Sequence, residues 1–90
     1  MDIISRNVSK ALHTVIQNYG LTIKEAAERV EVRPEHLSKY VNGKLSISFE
    51  RGYILAVRLD ETGRLGSEFT RIFRLQLFFE LGSPECQYFH

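Results

Sequence analysis

An all-α fold is predicted for this chain by three observations. Apolar residues recur at spacings of three and four along several stretches, the period of a helix that buries one face. Helix start and stop chemistry brackets those stretches: Thr22 stands three residues before Glu25, Pro34 opens one apolar run, and glycines follow others at 20 and 43. Between Leu21 and Lys44 two short helical patterns are separated only by Glu31-Val32-Arg33, which is the length of a tight turn.

The first helix is predicted over 4–19. Ile4, Val8, Ala11, Leu12, Val15, Ile16 and Tyr19 form its apolar stripe, with Arg6, Asn7, Ser9, Lys10, Thr14 and Gln17 between them. Gly20 stops it, and His13 beside the stripe reads as a partly exposed residue without a role. The second helix is predicted over 22–30. The Thr22 hydroxyl can accept from the Glu25 backbone N–H while the Glu25 carboxylate reaches back to the Thr22 N–H. Ile23, Ala26, Ala27 and Val30 follow at helical spacing, and the two alanines suit a close helix crossing.

The third helix is predicted over 34–42. Pro34 has a preset φ and lacks only an N–H that the first turn would leave unpaired; Leu37, Tyr40 and Val41 share a face, and Asn42-Gly43 closes the helix. The fourth is predicted over 48–59, with Ser48 as N-cap, Glu50 near the positive helix end, and Phe49, Tyr53, Ala56 and Val57 on one face. Gly52 inside it costs ~1 kcal/mol against alanine unless a neighbouring backbone needs the space. The segment 60–66, with two glycines and clustered polar residues, is predicted as a loop. The fifth helix is predicted over 67–81 with Ser67 as its cap. Phe69, Ile72, Phe73, Leu75, Leu77, Phe78, Phe79 and Leu81 spread around more than one of its faces, so it needs cover on more than one side. The four-helix core can supply one cover and a second copy of the chain the other. Gly82-Ser83-Pro84 ends this helix, and Tyr88 and Phe89 stand in the tail beyond it.

From Leu21 to Lys44 the chain resembles the Xre/Cro/lambda-repressor helix-turn-helix domain. Ala27 stands at the small-residue position, Val32 in the turn, Leu37 and Tyr40 at inward positions of the second helix of the motif, and Asn42-Gly43-Lys44 at its close. The likeness runs from about Val8 to Leu59. The continuation Leu45-Ser46-Ile47-Ser48, with a helix ending Ala56-Val57-Arg58-Leu59, is similar to the HigA-type antitoxin subgroup. The resemblance implies a five-helix lambda-repressor-like domain spanning residues 1–90, with the helix-turn-helix at helices two and three. It also implies a DNA-binding transcriptional regulator, a repressor, and in the subgroup an antitoxin that represses its own promoter beside a toxin partner. Three positions depart from the family's pattern: Ile23 replaces a Gln that contacts DNA, Glu31 replaces a Gly, and Arg33 replaces a capping Ser or Thr.

Ninety residues make one small domain, at a size where a partner subunit often shares the burial. Hydrophobic residues at 43% and charged residues at 26% exclude a disordered chain. The apolar-rich segment Phe69–Leu81 is broken by Thr70, Arg71, Arg74, Gln76 and Glu80, so it is no membrane span, which takes ~20 mostly apolar residues. No signal peptide is expected at Met1, and the single Cys86 permits no internal disulfide and fits a reducing cytoplasm. A net charge of +1 gives no global field to attract nucleic acid, so local placement must carry that inference. Arg33, Lys39 and Lys44 cluster around the third helix, whereas Glu25 and Glu28 lie on the second.

Docking of the third helix in a major groove brings Glu35, His36 and Lys39 nearest the bases, with Ser38 a lesser candidate. Lysine suits guanine O6/N7, and glutamate accepts from cytosine N4. Arg33, Asn42 and Lys44 at the helix ends, and Thr22 at the start of the second helix, suit phosphates. The expected partner is double-stranded DNA carrying a palindromic operator, read by a homodimer joined through Phe69, Ile72, Phe73, Leu75, Phe78 and Phe79. No cofactor or metal is expected: Cys86 and His90 are four apart but lack a second matched pair. Nor is catalysis, since the chain carries no nucleophile elbow, P-loop, His-Glu-x-x-His or dinucleotide turn. The alternative function is a protein-interaction module that keeps the helix-turn-helix fold without operator binding. Ile23, Glu31, Glu35 and the near-neutral charge motivate it.

Overall fold

The computed structural model describes residues 2–81, so Cys86, Tyr88, Phe89, His90 and Gly82-Ser83-Pro84, with what is expected of them, lie outside the described residues. Five helices and no strand make up that part: α1 (Ile3–Asn18), α2 (Ile23–Val30), α3 (Pro34–Val41), α4 (Phe49–Leu59) and α5 (Arg64–Leu81). The all-α expectation is met, and the first four helices lie within one or two residues of their expected bounds.

Local chemistry explains the ends. Asp2 caps α1 by accepting from the Ser5 N–H at 2.7 Å. Ser48 accepts from the Arg51 N–H at 3.1 Å and caps α4 as expected. Helices α1, α2 and α3 each close on a residue in the left-handed region, Gly20 (φ 78), Glu31 (φ 60) and Gly43 (φ 75). After each, the next N–H reaches a carbonyl five residues back: Leu21 to Ile16 (3.2 Å), Val32 to Ala27 (3.0 Å) and Lys44 to Lys39 (2.9 Å). This is the Schellman closure used three times, once with a side chain where glycine would relax the backbone.

The fifth helix begins three residues earlier than expected, and Ser67 does not cap it. Asp60 accepts from the Thr62 N–H at 3.1 Å, and the Thr62 hydroxyl accepts from the Arg64 N–H at 3.3 Å, so the turn ends at Gly63 (φ 74) and α5 starts at Arg64. Gly66 is therefore helical, and it serves a close crossing. A Cβ there would meet Val57 Cγ2 at 2.6 Å. Gly52 has the same use, with a built Cβ only 2.5 Å from Val8 Cγ1, which accounts for a glycine inside α4.

The core is one cluster drawn from all five helices, with Phe69 its largest fully buried side chain. On α4 the buried face is Gly52, Leu55, Ala56 and Leu59, while Tyr53 sits at the rim. On α1, Asn7 and Ser9 are buried although the apolar stripe placed them between its members. α5 crosses that flank, and the Asn7 amide donates to Glu80 Oε2 at 2.7 Å and to the Ile3 carbonyl at 2.8 Å. The Arg6 guanidinium pairs with the other Glu80 oxygen at 2.8 Å. The Asn7 hydrogen bond, followed by the bond and charge of Arg6, holds the Glu80 carboxyl below its ordinary range. Ser5 is also buried and accepts from the Ile47 N–H at 2.8 Å, tying the segment between α3 and α4 to α1.

Candidate nucleic-acid interface

The capping box at the start of α2 is complete: Glu25 N–H donates to Thr22 Oγ1 at 3.1 Å and Thr22 N–H donates to Glu25 Oε1 at 3.0 Å. The backbone bond from Thr22, then its side-chain bond, lowers the Glu25 pKa. Thr22 Oγ1 thus accepts from the Glu25 N–H while its hydroxyl bonds the Glu25 carboxylate, so the side chain is partnered within the capping box. Ala26, Ala27 and Val30 turn into the core, and Ile23 packs half-buried against it.

The turn hands α2 to α3 through Glu31, whose N–H stays on the Ala27 carbonyl, and through half-buried Val32. Arg33 is extended (φ -63, ψ 140) and makes no side-chain cap bond. The backbone starts α3 without it: His36 and Leu37 N–H donate to the Arg33 carbonyl at 3.0 and 2.9 Å. Its guanidinium, on an exposed residue, is left for another acceptor.

Helix α3 anchors itself with Leu37 and Val41, which are buried. With about 3.6 residues per turn, Lys39 lies diametrically opposite that pair, with Glu35 and Asn42 to one side of it, exposed His36 to the other, and Ser38 further round. Glu35, Lys39 and Asn42 are exposed, and Arg33 and Lys44 are exposed at the two ends. Arg33, Glu35, Lys39 and Lys44 make no ion pair among the described residues. Three candidates are already partnered along this helix. The Asn42 amide donates to Ser38 Oγ at 3.1 Å, and His36 Nε2 lies 3.3 Å from the Tyr40 hydroxyl with the rings edge to face at 4.9 Å.

Tyr40 packs half-buried against the core, in keeping with its expected inward position, and sequence reasoning missed only its hydroxyl, which meets His36 at the rim of the presented face. The four-residue spacing of His36 and Tyr40 was the available signal. Thr22 stands apart from this set, on the first turn leading into α2.

The six residues assigned to a dimer interface divide. Phe69, Ile72 and Phe73 are buried in the chain's own core, where Phe49 packs on Phe69 and Phe73 at centroid distances of 5.4 and 4.9 Å. The first three turns of α5 supply the core, so these residues are closed to a partner. Leu75, Phe78 and Phe79 are 47%, 72% and 73% exposed.

Together these features describe two short packed helices with a tight turn, presenting one polar helix face flanked by cations. A family model described as helix-turn-helix matches residues 12–64, more than half of the chain. The protein belongs to that family, the Xre and lambda-repressor-like group of DNA-binding transcription regulators. No curated protein and no solved structure matches the chain. The matched span covers all of α2, α3 and α4 and stops at the first residue of α5, so the exposed apolar end of α5 lies outside it. No group of metal-ligating side chains occurs among the described residues, and no described helix is long and apolar enough to cross a membrane.

Proposed function

We propose that the protein is a sequence-specific repressor that lays α3 in the major groove of a palindromic operator as a homodimer. The observation that carries this is the face of α3 opposite Leu37 and Val41, where Lys39 stands centrally among exposed Glu35, His36 and Asn42 with Arg33 and Lys44 at the ends. Lys39 reads a guanine edge, Glu35 accepts from a cytosine amine, and Arg33 and Lys44 hold phosphates on either side. Ser38 and Tyr40 form the edge of the contact, and Thr22 turns its hydroxyl from Glu25 to a backbone phosphate.

The dimer forms along the ridge of Leu75 and Phe79, which are four apart on α5 and exposed. The likeness to HigA-type antitoxins extends the proposal to an autoregulating antitoxin, which requires a toxin reading frame beside the gene and a toxin that co-purifies with this chain. Against operator binding stands half-buried Ile23, which packs on the core where the family places a polar contact. The alternative is then an interaction module on the same fold.

Titration of the protein against the duplex upstream of its own gene over a range of salt separates the two. A repressor binds that duplex far more tightly than unrelated DNA, with log K falling linearly in log salt. Arg33→Ala and Lys44→Ala each lower the salt slope by about one and weaken all duplexes alike. Equal, weak binding to every duplex with an unchanged slope in both variants would reject the assignment.

A further inference from the structure

On the presented face of α3, Lys39 can only donate a hydrogen bond and ionised Glu35 can only accept one, but exposed His36 beside them can do either. A neutral imidazole carries one donor and one acceptor nitrogen, and the bond made by one nitrogen decides the role left to the other. An imidazole with both nitrogens in solvent offers a base edge either sense of hydrogen bond and separates base pairs poorly.

Tyr40 removes that ambiguity. Its hydroxyl lies 3.3 Å from His36 Nε2, and the two rings meet edge to face at 84° with their centroids 4.9 Å apart. Tyr40 is also the anchored member of the pair: it packs half-buried against the core beside buried Leu37 and Val41, so the scaffold fixes where its hydroxyl stands. Of the two groups a phenol is the stronger acid and an imidazole nitrogen the stronger base, so the O–H donates to Nε2. The ring proton then sits on Nδ1. That nitrogen lies across the ring from the bonded one and makes no hydrogen bond among the described residues.

We propose that Tyr40 is a positioning residue for base recognition, a role that rests on the docking of α3 in the major groove. It holds His36 as the Nδ1–H tautomer, so that His36 enters the groove as a donor and reads a base that presents an acceptor, guanine N7 or O6 or thymine O4. The amines of cytosine and adenine are refused at that position, which complements Glu35, whose carboxylate needs an amine.

Nitrogen NMR of the free protein at about pH 8, where imidazoles are neutral, reads the tautomer directly, because protonated and bare ring nitrogens resonate far apart. In the parent the proton should sit on His36 Nδ1. In Tyr40→Phe, which keeps the ring and loses only the hydroxyl, the two tautomers should mix. Affinity is then measured across single-base variants of the duplex upstream of the gene. Tyr40→Phe should lose about fivefold of discrimination at one base pair, with circular dichroism and the salt slope unchanged. In a His36→Ala background the same substitution should leave the ranking of duplexes as it is, an outcome that a tyrosine acting only on stability has no reason to produce. A parent imidazole protonated on Nε2 or mixed, a Tyr40→Phe protein that binds every duplex more weakly to the same degree, or an equal effect without His36 would overturn the inference. A parent with no sequence preference at all takes the operator reading down with it, whereas a discriminating parent matched by Tyr40→Phe overturns the role of Tyr40 alone.

Discussion

Replacing Gly52 with alanine tests how tightly α4 is held between α1 and α5. By helix propensity alone the change should stabilise α4 by ~1 kcal/mol. The packing opposes it. An added Cβ would stand 2.5 Å from Val8 Cγ1 and 2.8 Å from Phe69 Cζ, where carbon pairs rest about 3.5–4.0 Å apart. Val8 and Phe69 are both 0% exposed, so neither can swing into solvent, and Phe69 is backed by Phe49 and by Phe73 at a centroid distance of 6.4 Å. Overpacking of a closed core costs about 1–3 kcal/mol and occasionally more, and contact from two helices puts this site at the upper end. The net expectation is a loss of about 1–2 kcal/mol, or about 5–15 °C in Tm for a chain of this size. Urea and thermal unfolding followed by circular dichroism measure it. The double variant Val8→Ala, Gly52→Ala should be more stable than the sum of the two singles by about 1 kcal/mol, since removing Cγ1 admits the new methyl. A Gly52→Ala protein as stable as the parent, or a strictly additive double variant, would refute this account of the crossing.

Glu31→Gly relieves a left-handed backbone that costs a side-chain residue about 1–2 kcal/mol, while glycine's unfolded-state freedom returns about 0.5–1, so a net gain of ~0.5–1 kcal/mol is expected in urea unfolding. Phe79→Glu should shift sedimentation from about twice the 10.4 kDa chain mass toward one chain without loss of helix content, because residue 79 is 73% exposed. Glu80 has a depressed folded pKa, so its contribution is present above its unfolded value near 4.5 and is lost as pH falls through the folded value. Stability of the parent should therefore decline more steeply than that of Glu80→Gln as pH is lowered below about 4.5 in acid titrations of urea stability; parallel curves would show that Glu80 contributes nothing.

The helix-turn-helix was legible because its signals are local. The Thr22–Glu25 box, Pro34, and the Gly20 and Gly43 closures each act within one helical turn, and each is present in the structure. Arg33 without a side-chain cap bond and Glu31 in the left-handed region were legible for the same reason, as residues whose own chemistry conflicts with their position. The outward face of α3 followed from Leu37, Tyr40 and Val41, since a short helix anchored on one side has only one way to turn. The start of α5 was not legible, because two glycines in seven residues look like a loop until one learns that Gly66 is small for the sake of Val57 and Tyr53 on α4. The inward role of Asn7 depends on Glu80, seventy-three residues away, which no periodicity on α1 reports. The division of α5 into a buried half around Phe69, Ile72 and Phe73 and an uncovered end at Leu75, Phe78 and Phe79 depends on where α1 and α4 cease to cover it. Composition alone cannot distinguish these halves, because burial is a property of what lies opposite a side chain and only the packed helices supply that.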